Sequence, residues 1–391
     1  MKESKQVKNA MSDKEMQEQI KALKYPTFNG KPLANKYMLK FYIAVTNGNP
    51  NGNPDSANLP RIDPETNHGL ITDVSIKRRI RDYILERFDG VAGLDVFAQC
   101  GTNANRFSAE VCKENDIEFE GFQKEEEQGK DATSENKESK KEKSKEGTLL
   151  KTLKFRNALC KRFWDIRTFG GVMCQGAGLP GCTLQGPVQI SIAKSLSPVY
   201  INNLSIVRTN APPSKQRLHS LDDYLKDEQN SPSSDFQTFG RKPTVAFGLY
   251  ECTVHVMPSN SAKTGFTEED FEKLLEAICN MYEFRRSAAL GETSVVSPII
   301  LFKHVGTHAN AEERAKQALL GAGVSAQKLA EAVSVTLKDG IEEPRSYRDY
   351  EATIDFGKIP AGVEIGFKQG AYDDVVWGKL PENEDWFSAK N

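Results

Sequence analysis

The sequence predicts a mixed α+β fold with a ferredoxin-like core. Segments with strand alternation and segments with amphipathic helical spacing follow each other in the order strand, helix, strand, strand, helix, strand. That order is the split β-α-β pattern of ferredoxin-like folds. Long polar stretches follow the first helix and separate the middle strands, so we expect one core enlarged by insertions.

The first strand and the first helix follow from the spacing of apolar residues. Apolar residues alternate with more polar neighbours at Leu39, Phe41, Ile43 and Val45. This alternation predicts a strand that is buried on one face. Thr72 or Asp73 can cap a helix that ends near Phe88. We expect that helix to pack on the sheet through Ile76, Ile80, Tyr83 and Ile84.

The other core strands are indicated in the same way. Alternating apolar residues predict strands over 188–192 and 250–256. Residues 198–207 are typical of a further extended piece. Short apolar runs over 298–302 and 363–367 predict the late strands.

Two more helices have clear signals. Thr267 followed by Asp270 is a capping-box pattern, and an apolar stripe continues from Phe271 to Tyr282. An earlier stripe consists of Phe155, Leu159, Phe163 and Ile166, and Gly170 is expected to end that helix.

Composition limits the class of protein. The chain of 391 residues has a formal net charge of −2, which excludes a uniformly basic nucleic-acid binder. Any nucleic-acid surface must therefore be a local patch. The 7 cysteines form no Cys-x-x-Cys pair, which favours reduced thiols in a cytoplasm. No apolar run approaches the roughly 20 residues that span a bilayer, so no membrane contact is expected.

Two segments are expected to lie outside the core. Residues 121–147 are almost entirely Lys, Glu, Ser, Gln and Asn, which predicts a disordered insertion, although the mixed charges leave room for a transient helix. Residues 1–35 form a polar N-terminal extension that we expect to be flexible.

The run from Asn47 to Asp55 carries the main functional signal. It contains only Asn, Gly, Pro and Asp, which predicts a rigid loop rich in backbone donors and acceptors. The helix after it presents Lys77, Arg78 and Arg81. Strand, polar loop and basic helix together are typical of a site for a phosphate backbone. The alternative is an ordinary surface loop beside a solvated helix.

Motifs for catalysis are missing from the sequence. We find no Gly-x-Ser-x-Gly, His-Glu-x-x-His or P-loop pattern. His304 and His308 are four residues apart but have no third ligand nearby, so we predict no metal site. We expect no catalytic residue and no cofactor.

The stretch from Val45 to Arg81 closely resembles the crRNA-backbone subunit of type I-C Cascade complexes of CRISPR systems. The shared pattern is Asn-Gly-Asn-Pro-Asn-Gly, then Leu-Pro-Arg, then a Lys/Arg-rich helix, with Asn53 where family sequences often have Asp. Further blocks continue the resemblance in family order from about 36 to about 365. They lie at 165–173, 186–196, 240–250, 283–289 and 344–351.

The resemblance implies an architecture and a function. The architecture is an RNA-recognition-motif-type palm over 36–391, with fingers at about 90–150 and a thumb at about 208–243. The function is a non-catalytic subunit that polymerises along crRNA and presents it for pairing with target DNA in antiviral defence. The implied partners are crRNA, the target DNA strand, further copies of this chain, the crRNA-processing subunit and the large PAM-recognising subunit.

The residues predicted to bind RNA combine the charge pattern with the resemblance. They are Asn49, Asn51, Arg61, Lys77, Arg78, Arg81, Arg167, Arg208, Arg241 and Lys242. For Arg167 a structural ion pair with Asp165 is an equal alternative, and Phe169 is expected to be core.

The resemblance also leaves one catalytic alternative open. Backbone subunits of type III complexes cleave RNA with a palm-loop Asp and a divalent metal ion. Asp55 and Asp63 occupy the loop after the first strand here. One of them would have to bind the metal and activate water.

Overall fold

The computed structural model describes residues 13–27, 30–117, 137–173, 181–210, 220–232, 234, 238–321 and 323–379. Its helices are α1 Asp13–Lys24, α2 Asp73–Arg87, α3 Ala104–Glu114, α4 Lys137–Arg162, α5 Trp164–Phe169, α6 Leu221–Asn230, α7 Pro258–Thr264, α8 Glu268–Asn280, α9 Ala311–Leu320 and α10 Ala326–Ala330.

The strands follow the same numbering along the chain. They are β1 Tyr37–Gly48, β2 Gly52–Asn53, β3 Leu59–Pro60, β4 His68–Ile71, β5 Gly170–Met173, β6 Cys182–Gln185, β7 Val188–Ile190, β8 Ala193–Pro198, β9 Ile201–Arg208, β10 Thr238–Val256, β11 Glu292–Val295, β12 Ile299–His304, β13 Val333–Leu337, β14 Tyr350–Ile354, β15 Val363–Lys368 and β16 Val376–Trp377.

The α+β class is confirmed by a large antiparallel sheet flanked by helices. In the described part of the chain the sheet has ten strands, and its main path runs β16-β15-β12-β1-β10-β8-β4. Strand β11 also pairs with β1, and β7 and β9 pair with β10. The long strand β10 extends past the end of β1 and forms a hairpin with β9 there.

The main core lies between one face of the sheet and helices α2 and α8. Leu39, Phe41 and Ile43 of β1 pack there with Ile76 and Ile80 of α2. Thr72 caps α2, and Thr267 and Asp270 form the predicted capping box of α8. The predicted core faces of both helices are confirmed.

The prediction that β1 is buried on only one face is wrong. Tyr42 and Ala44 on the opposite face are 0% and 6% exposed, and even Lys40 is only 4% exposed. A second core covers that face, built from β13, β14, α10 and β15. The Lys40 ammonium lies 2.9 Å from a carboxylate oxygen of Glu251. This pairing makes the burial of a charge tolerable.

A third hydrophobic cluster holds together the helices of the insertion that follows α2. Phe155 and Leu159 of α4 pack with Phe107 and Val111 of α3, and Ile166 of α5 completes the group. The predicted apolar stripe is therefore buried. The helix itself ends at Arg162, and a new one begins at Trp164.

Two predicted elements differ in detail from the observed ones. Strand β7 ends at Ile190, and Ile192 is 56% exposed, because the chain shifts there so that Ala193 enters the core instead. Asn47 and Gly48 belong to β1, and Gly52–Asn53 pairs with Leu59–Pro60, so the polar run is partly a small hairpin.

The two peripheral segments are only partly covered by the structure. Residues 118–136 lie outside the described residues, and 137–147 belong to α4. Within the N-terminal extension, α1 packs on α4, and the Arg156 guanidinium and the Asn157 amide donate to the Leu23 carbonyl. The predictions of disorder and flexibility there stay predictions.

Among the described residues, no helix is both long enough and apolar enough to cross a bilayer. The cysteines in the same part of the chain form no disulfide bond with one another.

Candidate nucleic-acid interface

Hydrogen bonds at three points hold the polar loop that follows β1. The Asn51 side-chain oxygen accepts from the Thr72 amide at 3.0 Å, which ties the loop to the start of α2. The Asn49 amide nitrogen donates to the Asn58 carbonyl at 2.7 Å. The Asn49 backbone N–H donates to the Ala289 carbonyl at 2.8 Å. These hydrogen bonds support the predicted rigidity of the loop.

Two glycines allow that packing because they have no side chain. Neither Gly48 nor Gly52 has a positive φ; Asn47 adopts the left-handed conformation instead, at φ +50°. A Cβ on Gly48 would lie 1.8 Å from the Leu290 carbonyl oxygen, and one on Gly52 would meet the Asn58 side chain. The close neighbour of each glycine is therefore another part of the protein.

Two buried polar atoms at this loop have no hydrogen-bond partner in the part of the chain that the structure describes. They are Oδ1 of Asn49 and Nε of Arg61. Arg61 follows β3, and its backbone N–H donates to the Asn51 carbonyl at 3.3 Å. The two residues that carry the orphaned atoms therefore belong to the same hydrogen-bonded loop. Buried polar atoms are nearly always hydrogen-bonded, so each exception calls for an explanation.

The three cations of α2 that were predicted to bind RNA do not form one free patch. Lys77 Nζ lies 2.8 Å from Asp73 Oδ2, and Arg81 Nε lies 2.8 Å from Asp165 Oδ2. Both cations also lie over the ring of Phe169, which is buried as predicted. Their side chains are 16% and 17% exposed.

Arg78 is the accessible member of the three. Its side chain is 44% exposed and pairs with Asp82 one turn further along, with 2.6 Å between Nε and Oδ1. Of the three side chains that were predicted to share a cationic face, the Arg78 guanidinium is therefore the one open to solvent. Lys77 and Arg81 are held against the protein.

Arg167 lies in the interior. Its guanidinium forms two bonds with the Asp270 carboxylate, at 2.9 and 2.7 Å, and also donates to the carbonyls of Gly93 and Cys160. The residue is 2% exposed. This geometry favours the structural alternative, but the expected partner Asp165 is wrong, because Asp165 pairs with Arg81.

The β9–β10 hairpin carries the other predicted cations. Cross-strand register places Thr238 opposite Arg208, Arg241 opposite Ser205 and Lys242 opposite Leu204. Since side chains alternate along a strand, Arg208 and Lys242 share one face and Arg241 lies on the other. The prediction that all three contact one ligand therefore requires that ligand to wrap around the hairpin.

Sequence reasoning missed two features of this surface. Phe239 is 83% exposed and lies on the hairpin face of Arg241. An aromatic residue two positions from an Arg in a strand was the available signal. Residues 283–289 were singled out only as a block of the family resemblance. The loop over 283–291 packs against the polar loop after β1, here called the Asn-Gly loop, and carries Arg285 and Arg286.

The carboxylates of the catalytic alternative differ in their surroundings. Asp63 accepts from the Lys194 ammonium at 3.0 Å and from the backbone amides of Glu65 and Thr66. The Lys194 contact, aided by these amides, holds the pKa of Asp63 well below its ordinary value. Asp55 is exposed. The described residues contain no group of three or more His, Cys, Asp or Glu side chains placed to hold a metal ion.

Comparison with known proteins decides the family. The model of the family described as "CRISPR-associated protein Cas7" matches residues 35–355. The chain belongs to the Cas7 family. Its match to the curated Cas7 of Haloferax volcanii is 40% identical over 65 residues, 17% of this chain and 18% of that relative.

Solved structures give more distant likenesses to this Cas7 chain. A chain of a CRISPR RNA-guided surveillance complex described as pre-nicking has a TM-score of 0.39 at 12% identity, over 76% of this chain and 86% of that one. A second surveillance-complex chain has a TM-score of 0.35 at 11% identity, over 76% and 80%.

Proposed function

We propose that this Cas7-family chain is the crRNA-binding backbone subunit of a type I-C Cascade complex. Several copies would polymerise along one guide and present its bases for pairing with the target DNA strand. The observation that carries the proposal is the hydrogen-bonded loop over 47–61 with its orphaned atoms, Asn49 Oδ1 and Arg61 Nε. This loop is bonded to the start of the helix that carries the accessible Arg78. A phosphate oxygen can accept from Arg61 Nε, and a ribose 2′-hydroxyl can donate to Asn49 Oδ1.

The palm of this subunit is a ferredoxin-like, RNA-recognition-motif-type core in our proposal. Strand β1 lies between β12 and β10, and β7 lies on the far side of β10, all antiparallel. With α2 after β1 and α8 after β10, this arrangement supports a split β-α-β core. The helices α3 to α5 would then belong to the fingers and the β9–β10 hairpin to the thumb.

The binding mode is independent of guide sequence. Phosphate contacts position a nucleic acid without reading its bases, whereas base pairing with the target supplies specificity. A subunit that accepts any spacer needs such a mode. The candidate surface offers amide and guanidinium groups, which suit phosphate and sugar.

We also propose that the chain is not an enzyme. The alternative, metal-dependent RNA cleavage by a palm-loop Asp, would rely on Asp55 or Asp63. Lys194 and two backbone amides already occupy the Asp63 carboxylate, which disfavours it as a metal ligand. No observation favours the alternative.

The partners and location belong to the same proposal. They are crRNA, target DNA, further copies of this chain, the crRNA-processing subunit and the large PAM-recognising subunit, all in the cytoplasm. No cofactor is required by this function.

Size-exclusion chromatography with and without crRNA tests the proposal. We expect crRNA to convert the protein into a large species in which the guide is protected from nuclease. Binding of a single copy per guide, or no binding at all, would contradict the backbone role. A guide with an unrelated spacer should give the same elution profile.

A further inference from the structure

Two adjacent arginines lie on the loop over 283–291 beside α2 and the Asn-Gly loop. Both are open to solvent, since the side chains of Arg285 and Arg286 are 65% and 55% exposed. The loop is held in place by the contact of the Ala289 carbonyl with Asn49 and by packing of Phe284 on Tyr83. The two guanidiniums therefore belong to the same surface as Arg78.

The ion pairs of the two arginines differ. Arg286 lies between two carboxylates, those of Glu283 and Glu292. Among the described residues, Arg285 lies within ion-pair distance of one carboxylate, that of Asp82, with 3.9 Å between Nη1 and Oδ2. The other oxygen of Asp82 already pairs with Arg78 at 2.6 Å.

The balance of charge differs between Arg285 and Arg286. Arg286 is more than balanced by its carboxylates, so an approaching anion would meet net negative charge there. At Asp82 two guanidiniums face one carboxylate, which leaves one positive charge unbalanced. Asp82 itself is only 15% exposed, whereas the side chains of both arginines on it are open.

We propose that Arg78 and Arg285 together bind one phosphate of the guide RNA. Asp82 would hold the two guanidiniums at its two oxygens, and the Cys100 side chain also contacts Arg78. Each guanidinium has five N–H donors, so further donors remain for an anion. Guanidinium groups donate in pairs to phosphate oxygens, so two of them form a site for a backbone phosphate. This inference rests on the proposed function and adds a residue and a ligand to it.

Two less exposed cations of α2 can be compared with Arg78 and Arg285. Lys77 and Arg81 have their own carboxylates and lie against Phe169, so a phosphate would have to displace those contacts. Arg78 and Arg285 can accept a phosphate without breaking a buried pair.

The test measures RNA affinity of the full-length protein with four substitutions. They are Arg78→Gln, Arg285→Gln, the double substitution, and Arg286→Gln as a matched control of similar exposure on the same loop. The probes are two single-stranded RNAs of unrelated sequence, each titrated over a series of salt concentrations. Urea unfolding of each variant verifies that it is folded.

We expect Arg78→Gln and Arg285→Gln each to weaken binding roughly tenfold, as for loss of a charge-assisted hydrogen bond. The slope of log K against log salt should become shallower by about 0.7 for a lost contact on a single strand. The double variant should lose less than the product of the single losses, because both residues act on one phosphate. Arg286→Gln should stay within about twofold of wild type.

The outcomes separate the two proposals. If the wild-type protein binds neither RNA, the proposed function itself fails. If it binds both and Arg285→Gln behaves like Arg286→Gln, the shared phosphate site is wrong and the proposed function survives. A loss for only one RNA would show base reading and overturn the phosphate assignment. If Arg285→Gln unfolds, Arg285→Lys takes its place, because Lys keeps the positive charge but has no guanidinium group. An unchanged RNA affinity of Arg285→Lys would show that paired guanidinium donors are not needed and would overturn the proposed site.

Discussion

Arg81 of α2 and Asp165 of α5 form an ion pair across 84 residues, with 2.8 Å between Nε and Oδ2. Asp165 is 0% exposed and also accepts the backbone N–H groups of Phe97 and Ala98. One buried carboxylate thus joins the basic helix, the segment after it and α5. Arg81 therefore has a structural role whether or not RNA is bound.

Replacing Arg81 should destabilise the protein. Arg81→Ala leaves the buried Asp165 charge without its cation, and we expect a loss of about 2 to 4 kcal/mol in the free energy of unfolding. Arg78→Ala is the matched control in the same helix. Its pair with Asp82 is partly exposed, so its loss should be below about 1 kcal/mol. Urea unfolding at neutral pH measures both, and equal losses would contradict this assignment.

His304 should make stability depend on pH. Burial, reinforced by the nearby Lys36 charge, lowers the pKa of His304 from 6.5 to about 4. Between these values the unfolded chain binds a proton that the folded protein does not. Stability from this group is therefore complete above pH 6.5 and falls by about 2 to 3 kcal/mol as the pH drops towards 4.

The variant His304→Gln isolates that effect. His255 also has a lowered pKa, because of burial, and contributes with the same sign. Urea unfolding across this pH range should show a shallower decline for His304→Gln than for wild type. An identical pH profile would show that His304 does not titrate as described.

Gly48→Ala should disturb the candidate interface directly. The added Cβ would lie 1.8 Å from the Leu290 carbonyl oxygen, which is backbone and cannot move aside easily. We expect a loss of about 2 to 3 kcal/mol in the free energy of unfolding and weaker RNA binding. Gly147→Ala in α4 is the control, because open space surrounds it. That change should be neutral or stabilising by up to about 1 kcal/mol.

Phe239→Ala should weaken RNA binding without affecting stability. The ring is 83% exposed, so its removal leaves no cavity. Stacking of a base on an aromatic ring is worth about 1 to 3 kcal/mol, which corresponds to roughly 5- to 150-fold in affinity. Tyr372→Ala, at 76% exposure and on the turn between β15 and β16, removes an exposed ring outside the β9–β10 hairpin and should leave the affinity unchanged. Equal affinities of the two variants would exclude a stacking role for Phe239.

The isolated protein should not cleave RNA or DNA in the presence of Mg²⁺ or Mn²⁺. We base this on the occupied carboxylate of Asp63 and on the absence of catalytic motifs in the sequence. Gel analysis of labelled guide and target strands measures it. Product that disappears in Asp55→Ala or Asp63→Ala would favour the metal-dependent alternative.

Local patterns predicted the elements that build the main core. The caps at Thr72 and Thr267, the apolar faces of α2 and α8, and the strand alternation over 250–256 are all present. These signals are reliable because capping and amphipathic spacing act between residues a few positions apart. The same patterns failed at β1, where the apolar cover of Tyr42 comes from residues about 300 positions later.

The sequence by itself determined which groups are available: a polar loop, a basic helix, a cationic hairpin and a core rich enough to hold them. Only the tertiary structure decided which charges remain open. Arg167 is buried against Asp270, Arg81 against Asp165, and Arg78 shares Asp82 with Arg285. The physical reason is that the free energy of a charge depends on the opposite charges and the solvent around it. Those neighbours are brought together by folding and cannot be read from the local sequence.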